Sequence, residues 1–144
     1  MLRRVGAVAS LGFAALPGAR AVSIDPAAAF AAQSFAEAIG ALGGAPTPSA
    51  LITLTTPKVA DNGAFVPITV SSALRGTREI LLLVEGNPQP VAARFTIPAG
   101  TEPYVATRIR MAGDGTVYAA VRTDDGLYAA AQAISVTVGG CGKD

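Results

Sequence analysis

The chain has 144 residues, of which 51% are hydrophobic, and its formal net charge is +1. This length is sufficient for one domain with a buried core, and the near-neutral charge predicts no nucleic acid or other polyanion as a partner. The chain contains no histidine and a single cysteine, Cys141. It therefore lacks the commonest general base and zinc ligand, and it cannot form an internal disulfide or a cysteine-cluster metal site.

Residues 1–21 have the pattern of an export signal. The basic start "MLRR" precedes the apolar run "VGAVASLGFAAL", which is too short to span a bilayer. An A-x-A motif that ends at Ala21 has the spacing that a signal peptidase reads. We therefore expect a mature chain that begins near Val22, in an oxidising compartment and without a membrane segment. The flanks of the arginine pair match a twin-arginine signal poorly, so both the twin-arginine and the general export route stay open.

Residues 22–49 are predicted to form one N-terminal helix followed by a linker. In "DPAAAFAAQSFAEAIGALGG", Asp25 is placed to cap the helix and Pro26 to occupy its first position. Two glycines end the helix, and "APTPS" forms the linker. An apolar stripe at helical spacing predicts packing on the rest of the fold or on a partner chain. Its members are Phe35, Ile39 and Leu42.

Residues 50–138 are predicted to form seven short strands, because the hydrophobic period changes to two and turn signals recur about every ten residues. Pro67 has no N–H, so "FVPITV" is expected to be an edge strand or to contain a bulge. "EILLLVEG" is apolar almost throughout, which is typical of a central strand. In "VAARFTIP" the alternation places four residues on one face: Val91, Ala93, Phe95 and Ile97. This pattern predicts an immunoglobulin-like antiparallel β-sandwich.

No catalytic site can be assembled from the residues and their spacing. A serine or cysteine nucleophile would lack its usual histidine base, and no close pair of carboxylates on a strand indicates glycoside hydrolysis. A hairpin turn explains Asp124-Asp125-Gly126 better than a calcium loop does. No glycine-rich phosphate loop follows a strand and opens a helix. The chain is therefore predicted not to be an enzyme.

The chain ends in "VTVGGCGKD", which places Cys141 beyond the last strand. Gly139, Gly140 and Gly142 flank the cysteine and resist regular structure, so residues 139–144 are predicted to form a slim, flexible arm. Such an arm would carry the thiol up to about 10 Å beyond the sandwich. An exposed thiol there could act as a nucleophile or form a mixed disulfide. An unselected cysteine in a disordered tail explains the same residues equally well.

The terminal "VTVGGCG" and the central "VEGNPQP", which is followed by "PAGTEPYVATRIRM", resemble the SoxY family of sulfur-carrier subunits. The resemblance includes the alanine-rich helix and "NGAFVPITV", so it covers nearly the whole chain. The family usually ends at the glycines that follow the cysteine, whereas this chain continues with Lys143 and Asp144. We interpret these two residues as a tolerated extension of a frayed end, and their effect on Cys141 stays open.

The resemblance implies a periplasmic carrier that pairs with a SoxZ-like β-sandwich subunit. Cys141 would be joined oxidatively to thiosulfate by SoxAX, a haem enzyme, to give an S-thiosulfonate. SoxB would then release sulfate and leave a persulfide, and in some organisms a sulfane dehydrogenase would oxidise the remaining sulfur. The haem and the metal belong to these partners, so the resemblance implies that this chain needs no cofactor.

Two other functions fit the same residues. In the first, the chain is an exported β-sandwich module whose Cys141 only forms an intermolecular disulfide. In the second, it is a transthyretin-like binder of small ligands, which would keep its activity in a chain truncated after Val138. Four arginines on outward strand faces could also steer anionic thiosulfate or dock a partner, although a solvated sheet face explains each of them more simply. They are Arg94, Arg108, Arg110 and Arg122.

Overall fold

A computed structural model describes residues 24–137 of the chain, which form two short helices and nine strands. The predicted export signal and the predicted arm at residues 139–144 lie outside this range. No helix within residues 24–137 is long and apolar enough to cross a membrane. The elements are α1 (Pro26–Ala31), α2 (Phe35–Ala41), β1 (Thr47–Pro48), β2 (Ile52–Thr55), β3 (Val59–Ala60), β4 (Val66–Ser72), β5 (Glu79–Glu85), β6 (Val91–Thr96), β7 (Tyr104–Ile109), β8 (Gly115–Thr123) and β9 (Gly126–Val136).

The strands form two sheets that pack face to face. The larger sheet has the order β1-β9-β8-β5-β6, with β3 also paired to β9, and the smaller sheet has the order β2-β4-β7. All pairs are antiparallel except those that β1 and β3 make with β9. The seven longer strands are the predicted ones, and the immunoglobulin-like sandwich is confirmed. The two parallel strands of two residues were not predicted, and β1 lies within the stretch predicted as a linker.

The main core lies between the two sheets and is built from the inward residues of alternating strands. Because side chains of a strand point to opposite faces in turn, every second residue reaches this core. The completely buried members include Val66 and Val70 from the smaller sheet and Ile80, Leu82, Val84, Val117, Ala119 and Val121 from the larger.

A second apolar layer forms where the two helices cover the outer face of the larger sheet. The predicted stripe residues Phe35, Ile39 and Leu42 all pack in this layer. They meet the other face of β5 and β8, through Leu81, Leu83 and Ala120. Strand β5 is therefore buried on both faces, which explains why its sequence is apolar almost throughout. It lies between β8 and β6, so the prediction of a central strand is confirmed.

The prediction of a single N-terminal helix is wrong, because a three-residue break separates α1 from α2. Asp25 caps α1 as predicted, since its Oδ1 accepts a hydrogen bond from Ala28 N at 3.1 Å. A second cap starts α2: Ser34 Oγ accepts from Glu37 N at 3.1 Å, and Glu37 Oε1 accepts from Gln33 N at 2.8 Å. This S-x-x-E motif is a variant of the capping box, in which Glu37 bonds to the residue before the cap, and it begins a new helix inside the alanine-rich run.

The prediction that Pro67 marks an edge strand or a bulge is also wrong. Strand β4 is the central strand of the smaller sheet, and its register with β7 runs through Pro67 without a shift. Its pairing with β2 extends only from Thr69 to Ser72. At Pro67 the strand is paired with β7 alone, opposite Arg108. A strand position with a neighbour on one side resembles an edge, and a residue without an N–H is tolerated there.

A register shift in β6 overturns one predicted face. Leu82 pairs with Ala93, but the next residue of β5, Leu83, pairs with Val91, so one residue of β6 is skipped. Such a bulge exchanges the faces on its two sides. Val91 consequently packs in the helix-facing layer, whereas Ala93 and Phe95 pack against the main core. The prediction that Val91 shares a face with the other three residues is therefore wrong.

Candidate functional site

The four predicted site residues lie within the predicted arm, outside the described residues: Cys141, Gly139, Gly140 and Gly142. The structure describes the root of the arm, which we define as Val136 and Thr137, together with the turns around it. The geometry of this root shows where the described part of the chain ends on the sandwich and what surrounds that end.

The root is held on both sides. On one side it pairs with β3: Ser135 N donates to Lys58 O at 3.0 Å, and Thr137 N donates to Ala60 O at 2.9 Å. On the other side β8 begins only at Gly115, which lies opposite Ile134. Val136 extends beyond that point, and its N–H donates at 2.8 Å to Oδ1 of Asp114. A side-chain carboxylate thus supplies the acceptor where the neighbouring strand has not yet begun.

The turn before β4 closes over the same root. Met111 N donates to Gly63 O at 2.7 Å. A Cβ at residue 63 would collide with the Met111 carbonyl oxygen and would lie 3.1 Å from Val136 Cγ1. Gly63 therefore allows three chain segments to approach one another closely.

A cleft lies at the same end of the sandwich, where turns from both sheets meet. The Asn87 side chain joins two of these turns, because its Nδ2 donates to Arg110 O and its Oδ1 accepts from Ala112 N, both at 2.8 Å. We call the cavity beside this bridge the arginine cleft, and its volume is about 600 Å³. It is lined by Gln33, Asn87, Pro88, Gln89, Arg110 and Ala112.

The four arginines considered from the sequence do not come together. Arg94 and Arg122 both contact the Glu79 carboxylate on the outer face of the larger sheet. Arg108 is exposed on β7, and Arg110 lines the arginine cleft. Two of the four are therefore parts of a structural ion cluster, and Arg110 alone lies beside the turns at the arm root.

An apolar groove of about 630 Å³ lies on the helix side of the larger sheet, where α2 and the segment after it meet β8 and β9. At its wall the rings of Phe35 and Tyr118 have their centroids 4.8 Å apart. The Tyr118 hydroxyl donates to Glu85 Oε1 at 3.1 Å. Burial raises the pKa of Tyr118 above its ordinary value, and the hydrogen bond and negative charge of Glu85 raise it further.

Within residues 24–137 no three His, Cys, Asp or Glu side chains are grouped to hold a metal ion.

Two residues that position the site, Asn87 and Asp114, lie in the turn sequences Gly86-Asn87-Pro88 and Gly113-Asp114-Gly115. Asparagine and aspartate side chains often bond to nearby backbone in turns. Here they bond to backbone 23, 25 and 22 residues away in the sequence. Only the packing of both sheets brings those partners close, so no local pattern identifies them.

The family model described as "Sulfur oxidation protein SoxY" matches residues 38–141. The chain belongs to the SoxY family. The match begins within α2, includes all nine strands and reaches Cys141, so the resemblance seen in the sequence is confirmed. The structure of the sulfur carrier protein SoxY from Chlorobium limicola f thiosulfatophilum is similar, with 32% identity and a TM-score of 0.60. That match covers 68% of this chain and 84% of the Chlorobium chain. A comparison with curated proteins finds no match.

Proposed function

We propose that this protein is a periplasmic sulfur carrier that holds the intermediates of thiosulfate oxidation covalently on Cys141. Membership of the SoxY family and the likeness to a sulfur carrier protein support a sulfur-carrier role in sulfur oxidation. The observation that carries the finer proposal is the position of the sole cysteine. It lies four residues beyond Thr137, the last residue that the structure describes, and the family match includes it.

In the first proposed step, the thiol sulfur of Cys141 forms a bond to the outer sulfur of thiosulfate. The thiol loses its proton, and two electrons leave with the formation of the S–S bond, which gives cysteine S-thiosulfonate. The two electrons pass one at a time through the haem of a SoxAX-type partner. The thiolate is the reactive form, so an exposed cysteine suits this step better than a buried one.

In the second proposed step, a SoxB-type hydrolase adds water to the terminal sulfonate sulfur. The S–S bond to that sulfur breaks, sulfate leaves with two protons released, and the electron pair stays on the inner sulfur as a persulfide anion. The persulfide is a reversible form of cysteine. A sulfane dehydrogenase would oxidise the retained sulfur further where such an enzyme is present.

The described residues support a division of work between the sandwich and the arm. The hydrogen bonds from Ser135, Val136 and Thr137 fix the root, so the arm starts from a defined place and direction. Glycines on both sides of Cys141 keep the following segment narrow enough for a channel in a partner enzyme. The proposed partner in a stable heterodimer is a SoxZ-like β-sandwich, and catalysis is supplied by the enzymes that the arm visits.

Intact-mass analysis of the mature protein tests the proposal. The protein is recovered from cells given thiosulfate, with and without a reductant wash, and a Cys141→Ser chain serves as the matched control. We expect reductant-labile additions of sulfur and thiosulfonate on the peptide that contains Cys141. The Cys141→Ser chain should carry none, and thiosulfate turnover should be lost with it.

A different result would favour the alternative of a disulfide-linked module. If the partner enzymes are active and Cys141 is found only as a free thiol or in a protein–protein disulfide, the carrier proposal is wrong. In that case the Cys141→Ser chain would lose covalent dimers and keep normal thiosulfate turnover.

A further inference from the structure

The arginine cleft is built by three connecting segments, and side-chain hydrogen bonds hold the backbone of two of them, around Gln33 and around Arg110. The Asn87 side chain holds the backbone around Arg110, with both of its amide atoms occupied. Gln33 is fixed at its backbone by the Glu37 side chain at the start of α2. Gln89 follows Pro88 in the turn between β5 and β6. The cleft is thus a preformed cavity with polar side chains on its walls.

Three side chains on the wall of this cavity can donate hydrogen bonds, and one of them, the Arg110 guanidinium, is positively charged. Within residues 24–137, the side chains of Gln33, Gln89 and Arg110 take part in no hydrogen bond or ion pair. The guanidinium offers five N–H groups in a planar fork, and each glutamine amide offers two more. By contrast, Arg78, Arg94 and Arg122 are paired with carboxylates.

Two carboxylates near the cleft are engaged elsewhere. Glu85, two residues before Asn87, accepts the Tyr118 hydroxyl, and Asp114 accepts the N–H of Val136. Their charges lower the affinity of the cleft for an anion without filling it. Since Arg110 is also exposed, we expect weak binding that falls with ionic strength.

The cleft lies beside the root of the arm. Arg110 directly precedes Met111, whose backbone packs on Gly63 together with Val136. Cys141 is four residues beyond Thr137, a contour length of about 13 Å. The described chain therefore ends at the same end of the sandwich as the cleft.

We propose that the arginine cleft binds a small sulfur oxoanion, with the Arg110 fork on two sulfonate oxygens and the glutamine amides on the third. An arginine fork matches the spacing of two oxygens on a tetrahedral anion. Two ligands carry such a sulfonate group: free thiosulfate, and an S-thiosulfonate attached to Cys141. Binding of the attached group rests on the proposed carrier function, whereas binding of free thiosulfate does not.

Amide and arginine Nε NMR spectra of the mature chain test the free anion. A Cys141→Ser chain is titrated with thiosulfate and, separately, with chloride at equal ionic strength. We expect saturable shifts confined to Gln33, the Asn87–Gln89 turn and residues 110–112 with thiosulfate only. Arg110→Gln should weaken this binding at least about fivefold, because the charged fork is lost. Arg75→Gln removes the same charge from an exposed turn at the other end of the sandwich and should change nothing.

The attached anion is tested on a loaded chain. Tetrathionate reacts with the Cys141 thiol to give the S-thiosulfonate, with thiosulfate as the leaving group and one proton released. After desalting, and with the adduct verified by mass, we expect shifts at the same cleft residues without free anion. Those shifts should disappear in the Arg110→Gln chain, which should load to the same extent.

The outcomes separate the two ligands and the two proposals. Shifts in the first titration identify a site for free thiosulfate, and shifts in the loaded chain alone identify a site for the carried group. Either result supports the cleft. No localised shift in either experiment, or equal shifts in the Arg110→Gln chain, overturns it. A loaded chain without cleft shifts leaves the carrier role of Cys141 intact, whereas the absence of any adduct in cells contradicts the carrier role alone.

Discussion

Glu79 shows how single residues join the layers of this molecule. Its carboxylate, with the side chain only 12% exposed, contacts both Arg94 and Arg122. Arg122 continues the connection, because its Nη2 donates at 3.0 Å to the carbonyl oxygen of Leu42 at the end of α2. A cation at a helix C-terminus satisfies a carbonyl that the helix leaves free. Arg122 therefore attaches the helix layer to the sheet and Arg94 completes the ion cluster, so a role in steering anions is unnecessary to explain either arginine.

Tyr118 gives a prediction at this same scale. Burial and Glu85 raise its pKa, so the folded state holds the phenolic proton more tightly than the unfolded chain does. The resulting stability is fully present below the ordinary tyrosine pKa of about 10 and is lost as pH rises through the folded-state pKa.

Tyr118→Phe should cost about 1 kcal/mol at neutral pH, because the hydrogen bond to Glu85 is lost. Above pH of about 10 the difference from the wild-type chain should shrink. Urea unfolding from pH 7 to 11, with Tyr104→Phe as the control for an exposed tyrosine, measures both effects. A difference that grows with pH would contradict the assignment.

Among the elements, the helix pair depends on caps more than on helix propensity. Neither α1 nor α2 exceeds seven residues, which is too short for a stable isolated helix. Their stability comes from packing on the larger sheet and from the caps at Asp25 and Ser34. The capping box at Ser34 ends the continuity that the alanine content alone would favour.

Ser34→Ala should lower the free energy of unfolding by about 1 kcal/mol, because the Glu37 N–H loses its acceptor. Ser34→Asp should restore most of that loss, since aspartate is an equally good N-cap. Ser135→Ala, on the exposed side of β9, is the control and should change stability by less than about 0.5 kcal/mol. Equal losses in the Ser34 and Ser135 variants would show that the cap does not stabilise α2.

The sequence predicts the long strands of this fold well, because burial follows a period of two along them. Val105 and Ile109 on β7 are buried, as a period of two requires, and Arg108 between them is exposed. The features that the sequence does not predict leave no periodic pattern of hydrophobic residues. Strands β1 and β3 have two residues each, and the bulge in β6 is set by its pairing with β5. The same limit holds at the site: the cysteine stands out in the sequence, whereas the partners of Asn87 and Asp114 are defined only by packing.

At the scale of the whole molecule, we expect the stability of the described sandwich to be independent of the proposed arm. The core, the helix layer and the anchored root all lie within residues 24–137. Thr137 is the last residue with a described hydrogen bond, through its backbone N–H and its hydroxyl to the β3 region. We therefore expect folding and sulfur transport to depend on different parts of the mature chain.

Two truncated chains test this separation. A mature chain that ends after Thr137 should unfold within about 0.5 kcal/mol of the full mature chain, because every described contact is kept. It should accept no sulfur, since Cys141 is removed. A chain that ends after Ile134 should lose about 3 kcal/mol, because the three N–H bonds of Ser135, Val136 and Thr137 and the packing of Val136 disappear. Urea unfolding measures the stabilities, and mass analysis after tetrathionate treatment measures loading. If removal of residues 138–144 alone costs as much as removal of residues 135–144, the arm is part of the folded core and the proposed separation is wrong.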